Sequence, residues 1–467
     1  MKIKKESILY GVLILIIGIT IISMIFIFDY GDLDALTAWS VNLLDAIADG
    51  NLMNYYSYTV HSIRGASEAV FSGSFIDEIP LAIWNIPLWI THPRNVNPIV
   101  TTQMCLVWVK LLYLVFMFLT VHYIYRICCL FPNAIHNKIA TFLLVFGSAE
   151  LLISCFYAGQ NEILFECFFI MSLYYYFVEK KINFWICSII SVSLCPIMII
   201  PFIILIVSRE KKILRIILYC FIPFIPSIVF SVIYSSNDFY SETSGTWETG
   251  MLDGFLNNIK MNSNIKDTPY SVIILLFLAC FMISYFSCSK EKRDDTDKTK
   301  IIAIVTTTMI IFNFFAKDNF YRSFLYMPLL ILLVMVNNHN LNLCAFLIML
   351  LNGFRTMTTL HIDSNRNMNT KFIMDKNYID LFARHLGNDN DSCLYNCLNG
   401  TFSWFKTLFS FGMTFSLFVV MFILFITCRK DHKEYQFYVP ARVSMSIYMM
   451  VMPLLMVMFT VMVHYTM

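Results

Sequence analysis

Two aspartates stand one residue apart, Asp32 and Asp34, in the stretch "DYGDLDALTAWSVNLLDAIADGN". Carboxylates at D-x-D spacing can share a divalent cation such as Mg or Mn. Alternatively, one can act as a base toward a hydroxyl while the other supports it. A plainer reading is a helix N-cap at Asp34 with a solvated neighbour. More acids follow: Asp29, Asp32, Asp34, Asp45, Asp49, Glu68, Asp77 and Glu78 all fall before residue 79. On a helical wheel from Asp34, the residues Leu36, Trp39, Leu43, Leu44 and Ile47 share one face, and Asp45 and Asp49 share another. The spacing predicts an amphipathic helix over 34–49, lying along a membrane surface and stopped by Gly50.

A second group of polar residues lies at the ends of apolar runs. The turn "GQNE" places Gln160, Asn161 and Glu162 together, and "AKDNFYRSF" holds Lys317, Asp318 and Arg322. Arg355 and His361 stand near the end of a later run. Cationic groups at such ends suit a lipid-linked phosphate, or they snorkel to the surface. Lys110, Glu150 and Glu166 fall inside apolar runs, where a charge is costly and turns toward a cavity or a partner. Cys393 and Cys397 suit a small disulfide or free thiols better than a zinc site, because the other ligands of such a site are missing.

The elements that position these residues follow from composition. The chain has 467 residues, 58% hydrophobic, 16% aromatic and only 14% charged, with a mean hydropathy of +0.68. A soluble domain carries roughly 25% charge. The composition excludes a soluble enzyme, a disordered chain and a fibrous repeat, and predicts an all-α, polytopic membrane protein. A net charge of +2 gives no reason to expect a nucleic-acid partner. Fourteen cysteines in a chain of this length do not make a disulfide scaffold. Those inside apolar runs, such as Cys105, Cys155, Cys167 and Cys220, read as small buried hydrophobes.

Apolar runs of spanning length predict about eleven transmembrane helices, at 8–28, 99–127, 138–158, 162–178, 213–234, 270–288, 301–316, 320–337, 343–360, 404–427 and 444–465. The first reads as an uncleaved anchor. Short segments on one side hold 20 of the 33 Lys and Arg, so that side is predicted to be cytoplasmic. The expected arrangement is a multi-pass protein of the cell membrane with its N-terminus cytoplasmic and its C-terminus outside. Three long outer loops then lie at about 29–98, 235–269 and 361–403. Residues 182–207 lie between two basic segments and contain Pro196 and Pro201. They predict a broken, re-entrant hairpin. The apolar stretch 79–93, with three prolines, predicts an interfacial or partly inserted hairpin rather than a straight span.

Together these features resemble the GT-C glycosyltransferases, in particular the polyprenol-phosphate-dependent, mannosyltransferase-like proteins of bacteria and their GPI mannosyltransferase relatives. The resemblance rests on the D-x-D after the first span, "GQNEILFECFFIMSLYYYFVEKK", and the proline-broken "SLCPIMIIPFII". It covers about residues 8–215. The chain departs from the family at Glu162, where a "GQ-x-D" turn has Asp, and at Cys195, where a Lys usually precedes the prolines. The resemblance implies an integral membrane transferase that moves a sugar from a polyprenyl-phosphate donor to a glycan or lipid acceptor on the outer face of the bilayer. Asp34 would be the base, with Asp32 beside it. Gln160, Glu162, Lys317, Arg322, Arg355 and His361 would line the substrate site. The reaction would invert the anomeric centre, and a cation on Asp32 and Asp34 would be optional.

Three other readings fit the same sequence. A lipid-linked glycan polymerase or ligase would draw on Arg366, Arg384 and His385 in the late outer loop. A transporter or flippase calls for paired halves, and no internal repeat is evident in the sequence. A non-catalytic protein of envelope assembly is the third.

Overall fold

In a computed structural model, the described residues are 2–27, 31–60, 75–91, 103–237 except 133, 135 and 158, then 272–287, 295–315 and 325–337. All regular elements among them are helical. The expected spans 343–360, 404–427 and 444–465 lie outside the described residues, as do Lys317, Arg322, Arg355, His361, Arg366, Arg384, His385, Cys393 and Cys397. Among the described residues, two helices are long and apolar enough to cross a membrane, Met104–Cys128 and Ile213–Tyr234. A bent pair counts as a third if its halves form one span.

The chain divides into two units. One comprises residues 1–31, 128–159 and 330–467, and the other residues 32–127 and 160–329. In the first unit, α1 (Lys2–Ile27) is followed by α6 (Lys138–Phe146) and α7 (Ala149–Leu152), the latter running into a π-turn, Ile153–Tyr157. Asn137 caps α6, its side chain accepting from the backbone N–H of Ile139 at 2.9 Å and of Ala140 at 3.2 Å. The single span expected at 138–158 is instead bent by 63° between its halves. The bend falls at Gly147–Ser148, the kind of pair at which helices kink.

The second unit holds α2 (Gly31–Ala48), α3 (Tyr55–Val60), α4 (Phe75–Thr91), α5 (Gln103–Cys128), α8 (Glu162–Phe177), α9 (Lys181–Leu194), α10 (Ile199–Arg209), α11 (Ile213–Phe221), α12 (Ile225–Tyr234), α13 (Val272–Ser287) and α14 (Asp295–Phe315). A last helix, α15 (Met327–Asn337), belongs partly to each unit.

Contacts made by α8 define the order of its neighbours. Phe168 meets Phe116 of α5, with ring centroids 5.9 Å apart, and Tyr175 meets Tyr123 through their hydroxyls at 3.2 Å. Both pairs have the same sequence offset, so α5 and α8 run parallel. α9 returns antiparallel. Phe184 at its start meets Tyr176 at 5.7 Å, and Ser191 near its end donates to the Phe165 carbonyl at 2.8 Å. α10 then runs beside α8 in the α8 direction, Phe202 meeting Phe169 at 5.1 Å and Ser208 hydrogen-bonding Tyr176. Residues 181–209 therefore rise along α8, break at Cys195–Met198, and come back to the level where they began. The break lies at Cys195 and Pro196, while Pro201 sits within the first turn of α10, where a missing N–H costs least. α11 and α12 form one apolar helix that passes Trp185 at Tyr219, 5.4 Å between rings, and reaches the loop after α2. There Tyr234 donates to the Leu52 carbonyl at 3.0 Å.

Candidate functional site

Unit two has a basic end and an opposite end. At the opposite end, α2, α4, the start of α5 and the start of α8 bring together buried polar groups. Each of Ser40, Asp45, Asp77, Glu78, Asn85, Lys110, Gln160 and Glu162 is buried, and the Asn85–Ser40 bond links two of them.

α2 begins at Gly31, which places Asp32 and Asp34 inside its first turn. Asp34 is therefore not the N-cap that the sequence suggested. Acids in a first turn are favoured by the helix dipole without capping it. The helix ends in a Schellman motif. Gly50 adopts φ +65°, its N–H reaches the Ile47 carbonyl at 3.1 Å, and Asn51 N–H reaches the Ala46 carbonyl at 2.9 Å. The acidic side of α2 is not uniform. Asp45 is buried, as are Leu36 and Leu43 on the other side. Asp49, one turn on, stays exposed, while α4 covers Ser40 and Asp45 with donors of its own. Asn85 donates to the Ser40 hydroxyl at 2.8 Å, and the Trp89 indole donates to the Asp45 carboxylate at 2.7 Å.

α4 corrects a second expectation. It is one helix through Pro80 and Pro87, not a hairpin. Each proline removes one i→i−4 bond, and side-chain contacts on its flanks hold the helix in place. Trp84 and Trp108 stack at 5.0 Å, and each indole donates to the other's carbonyl, at 2.8 and 3.0 Å. This double staple ties α4 to the start of α5. Lys110 follows two residues after Trp108 and is fully buried. The constant offset between α5 and α8 puts Lys110 at the level of Glu162, where the "GQNE" turn opens α8. Gly159 adopts φ +61° to make that turn. Gln160 and Glu162 are thus brought to the same end as α4.

The acidic start of α4 rests on an aromatic group. Phe75 packs against Tyr55, Phe230 and Tyr234, with centroids 5.5, 4.9 and 5.4 Å apart, and its backbone N–H reaches the Tyr56 hydroxyl at 3.3 Å. Glu78 is buried beside it, and among the described residues neither of its carboxylate oxygens has a hydrogen-bond partner. Burial, and then the neighbouring Asp77 charge, hold its carboxyl well above the usual range. Burial likewise raises Tyr55, with Glu78 adding to it.

The sequence reading passed over three of these groups as site residues: Lys110, weighed only as a costly charge, Glu78, counted only among the acids, and Asn85. A signal for Lys110 was present, because a lone lysine in an apolar run is expensive. Asn85 sat unnoticed in an aromatic stretch. Among the described residues, no three His, Cys, Asp or Glu side chains cluster as metal ligands. The side chains of Asp32 and Asp34 are not among those described. In comparisons with known proteins, no family model, no curated protein and no solved structure matches this chain.

Proposed function

We propose that the chain is an integral membrane glycosyltransferase of the GT-C kind. It would transfer a sugar from a polyprenyl-phosphate donor to a glycan or lipid acceptor at the outer face of the cell membrane. One observation carries most weight. A buried cation, Lys110, and a buried acid, Glu162, share a level at one end of an apolar helical bundle, two residues beyond the Trp108 that α4 is stapled to. Ionisable groups so placed are expensive and are kept for a task. A donor with a charged phosphate and an apolar tail needs both a cation and a lipid-facing approach.

In this reading about eleven spans place that end outside, and 182–207 enters and leaves from the cytoplasmic side. The rise and return of α9 and α10 along α8 support such a hairpin. Asp34, supported by Asp32, takes the proton from the acceptor hydroxyl. Lys110 supplies the positive charge that stabilises the leaving phosphate. Gln160 and Glu162 position the sugar. Burial of Glu78 disfavours its charged form, which suits a hydrogen-bond donor rather than a second base.

The test is sugar transfer in membranes carrying equal amounts of wild type and Asp34→Asn. Removing a general base costs roughly 10²–10⁴ in rate, so the variant should fold, insert and lose transfer. Near wild-type transfer by the variant would defeat the assignment.

A further inference from the structure

At the basic end of unit two the structure gathers cations that are far apart in sequence. The hub is "YYYF" of α8. Arg126, from the end of α5, lies over the ring of Tyr174 at 4.7 Å, and Arg209, from the end of α10, lies over Tyr176 at 5.9 Å. Lys211 sits over Tyr285 of α13 at 4.7 Å and also donates to the Val207 carbonyl at 3.2 Å. Lys180, Lys181 and Lys212 stand exposed in the two turns beside them.

Among the described residues, Asp295 and Asp297 pair with Lys298 and Lys300 on their own helix, and two acids lie in the turns of this collar. Glu210 accepts from the backbone N–H of Lys211 and Lys212, both at 2.9 Å, and pairs with Arg215 at 3.6 Å. Glu179, exposed, is the other acid in these turns. Neither the Arg126 nor the Arg209 guanidinium has an ion-pair or hydrogen-bond partner among the described residues. Their rings hold them in place and leave the N–H donors open. A guanidinium stacked on an aromatic face keeps its fork available for two phosphate oxygens.

We propose that this collar binds the headgroups of anionic phospholipids, with Arg126 and Arg209 as the two phosphate-gripping groups and Lys180, Lys181 and Lys212 adding charge around them. The rings of Tyr174 and Tyr176 hold the guanidinium groups at the basic end of the helices. The proposal does not depend on the transferase reading.

The test titrates the purified full-length protein with short-chain phosphatidylglycerol, phosphatidylcholine or inorganic phosphate, and reads bound species by native mass spectrometry. Wild type should bind phosphatidylglycerol in preference to phosphatidylcholine. Each basic group near an anionic surface contributes enough that the Arg126→Gln/Arg209→Gln variant should bind phosphatidylglycerol about 30-fold more weakly. Its weak binding of phosphatidylcholine should not change, and Arg126→Lys/Arg209→Lys should recover part of the loss. Equal affinity of wild type for the two lipids would overturn the proposal, and that comparison needs no variant to fold. Undiminished phosphatidylglycerol binding by the Gln variant would overturn it too. So would displacement of the lipid by an equal concentration of inorganic phosphate, since that indicates an ion site rather than a lipid surface.

Discussion

Trp89 donates its indole N–H to the buried carboxylate of Asp45 at 2.7 Å, and this bond joins α4 to α2 one turn beyond the Asn85–Ser40 bond. A neutral donor on a buried carboxylate is worth more than one between neutral groups, about 1.5–3 kcal/mol. Trp89→Phe keeps the ring and removes the donor. It should lower the thermal midpoint in detergent, and Asp45→Ala should lower it as well. In a double-mutant cycle the two losses should be strongly less than additive. Additive losses would show that the pair does not couple the helices.

The stop of α2 gives a second measurement. Gly50 holds φ +65° with open space around the position a Cβ would take. A substitution there meets backbone strain, not a clash. Gly50→Ala should cost about 1–2 kcal/mol, and Gly50→Asn should cost less because Asn tolerates the left-handed region. Equal stability of all three would mean that the Schellman end contributes nothing.

Much of the helical content was legible because apolar runs of spanning length leave few alternatives. The predicted 213–234 agrees with Ile213–Tyr234. Gly159 and the prolines act locally: the sequence points to a break between Pro196 and Pro201, and the structure has it at Cys195–Met198, with Pro201 inside the next helix. What escaped the sequence was tertiary. Asp45 looked like a solvated acid because nothing in 34–49 announces that Asn85 and Trp89 will cover it. Residues 79–93 looked broken because proline is a strong local signal, yet the Trp84–Trp108 staple holds α4 together through Pro80 and Pro87. The paired level of Lys110 and Glu162 needed the α5–α8 register, which no spacing within either helix contains.

Orientation has its own test. Met53 is exposed at the end where Tyr234 meets Leu52, and Lys180 is exposed at the basic end. In a cysteine-free background, an impermeant maleimide applied to intact cells should label Met53→Cys. It should label Lys180→Cys only after permeabilisation. The reverse pattern would invert the proposed topology, and labelling of both from outside would remove the span between them.

The last prediction concerns pH and Glu78. Its folded-state carboxyl titrates well above its ordinary value, first because of burial and then because of Asp77. In the unfolded chain a glutamate titrates near 4.3, as an approximate reference. Below that value both states hold the proton, and Glu78 makes no pH-dependent contribution. Above it the unfolded chain releases the proton while the folded protein retains it. The folded state then binds more protons, so its stability falls with rising pH until the folded carboxyl itself ionises. Glu78→Gln keeps the shape of the protonated side chain and removes the titration. The variant should match wild type near pH 4 (about the unfolded-state reference) and exceed it increasingly toward neutral pH, so the two midpoint-against-pH curves diverge upward for the variant. A constant gap between the curves would show that the Glu78 environment does not shift its proton affinity. If Glu78 is the neutral donor proposed for the site, the same variant, still able to donate through its amide, should keep measurable transfer where Asp34→Asn does not.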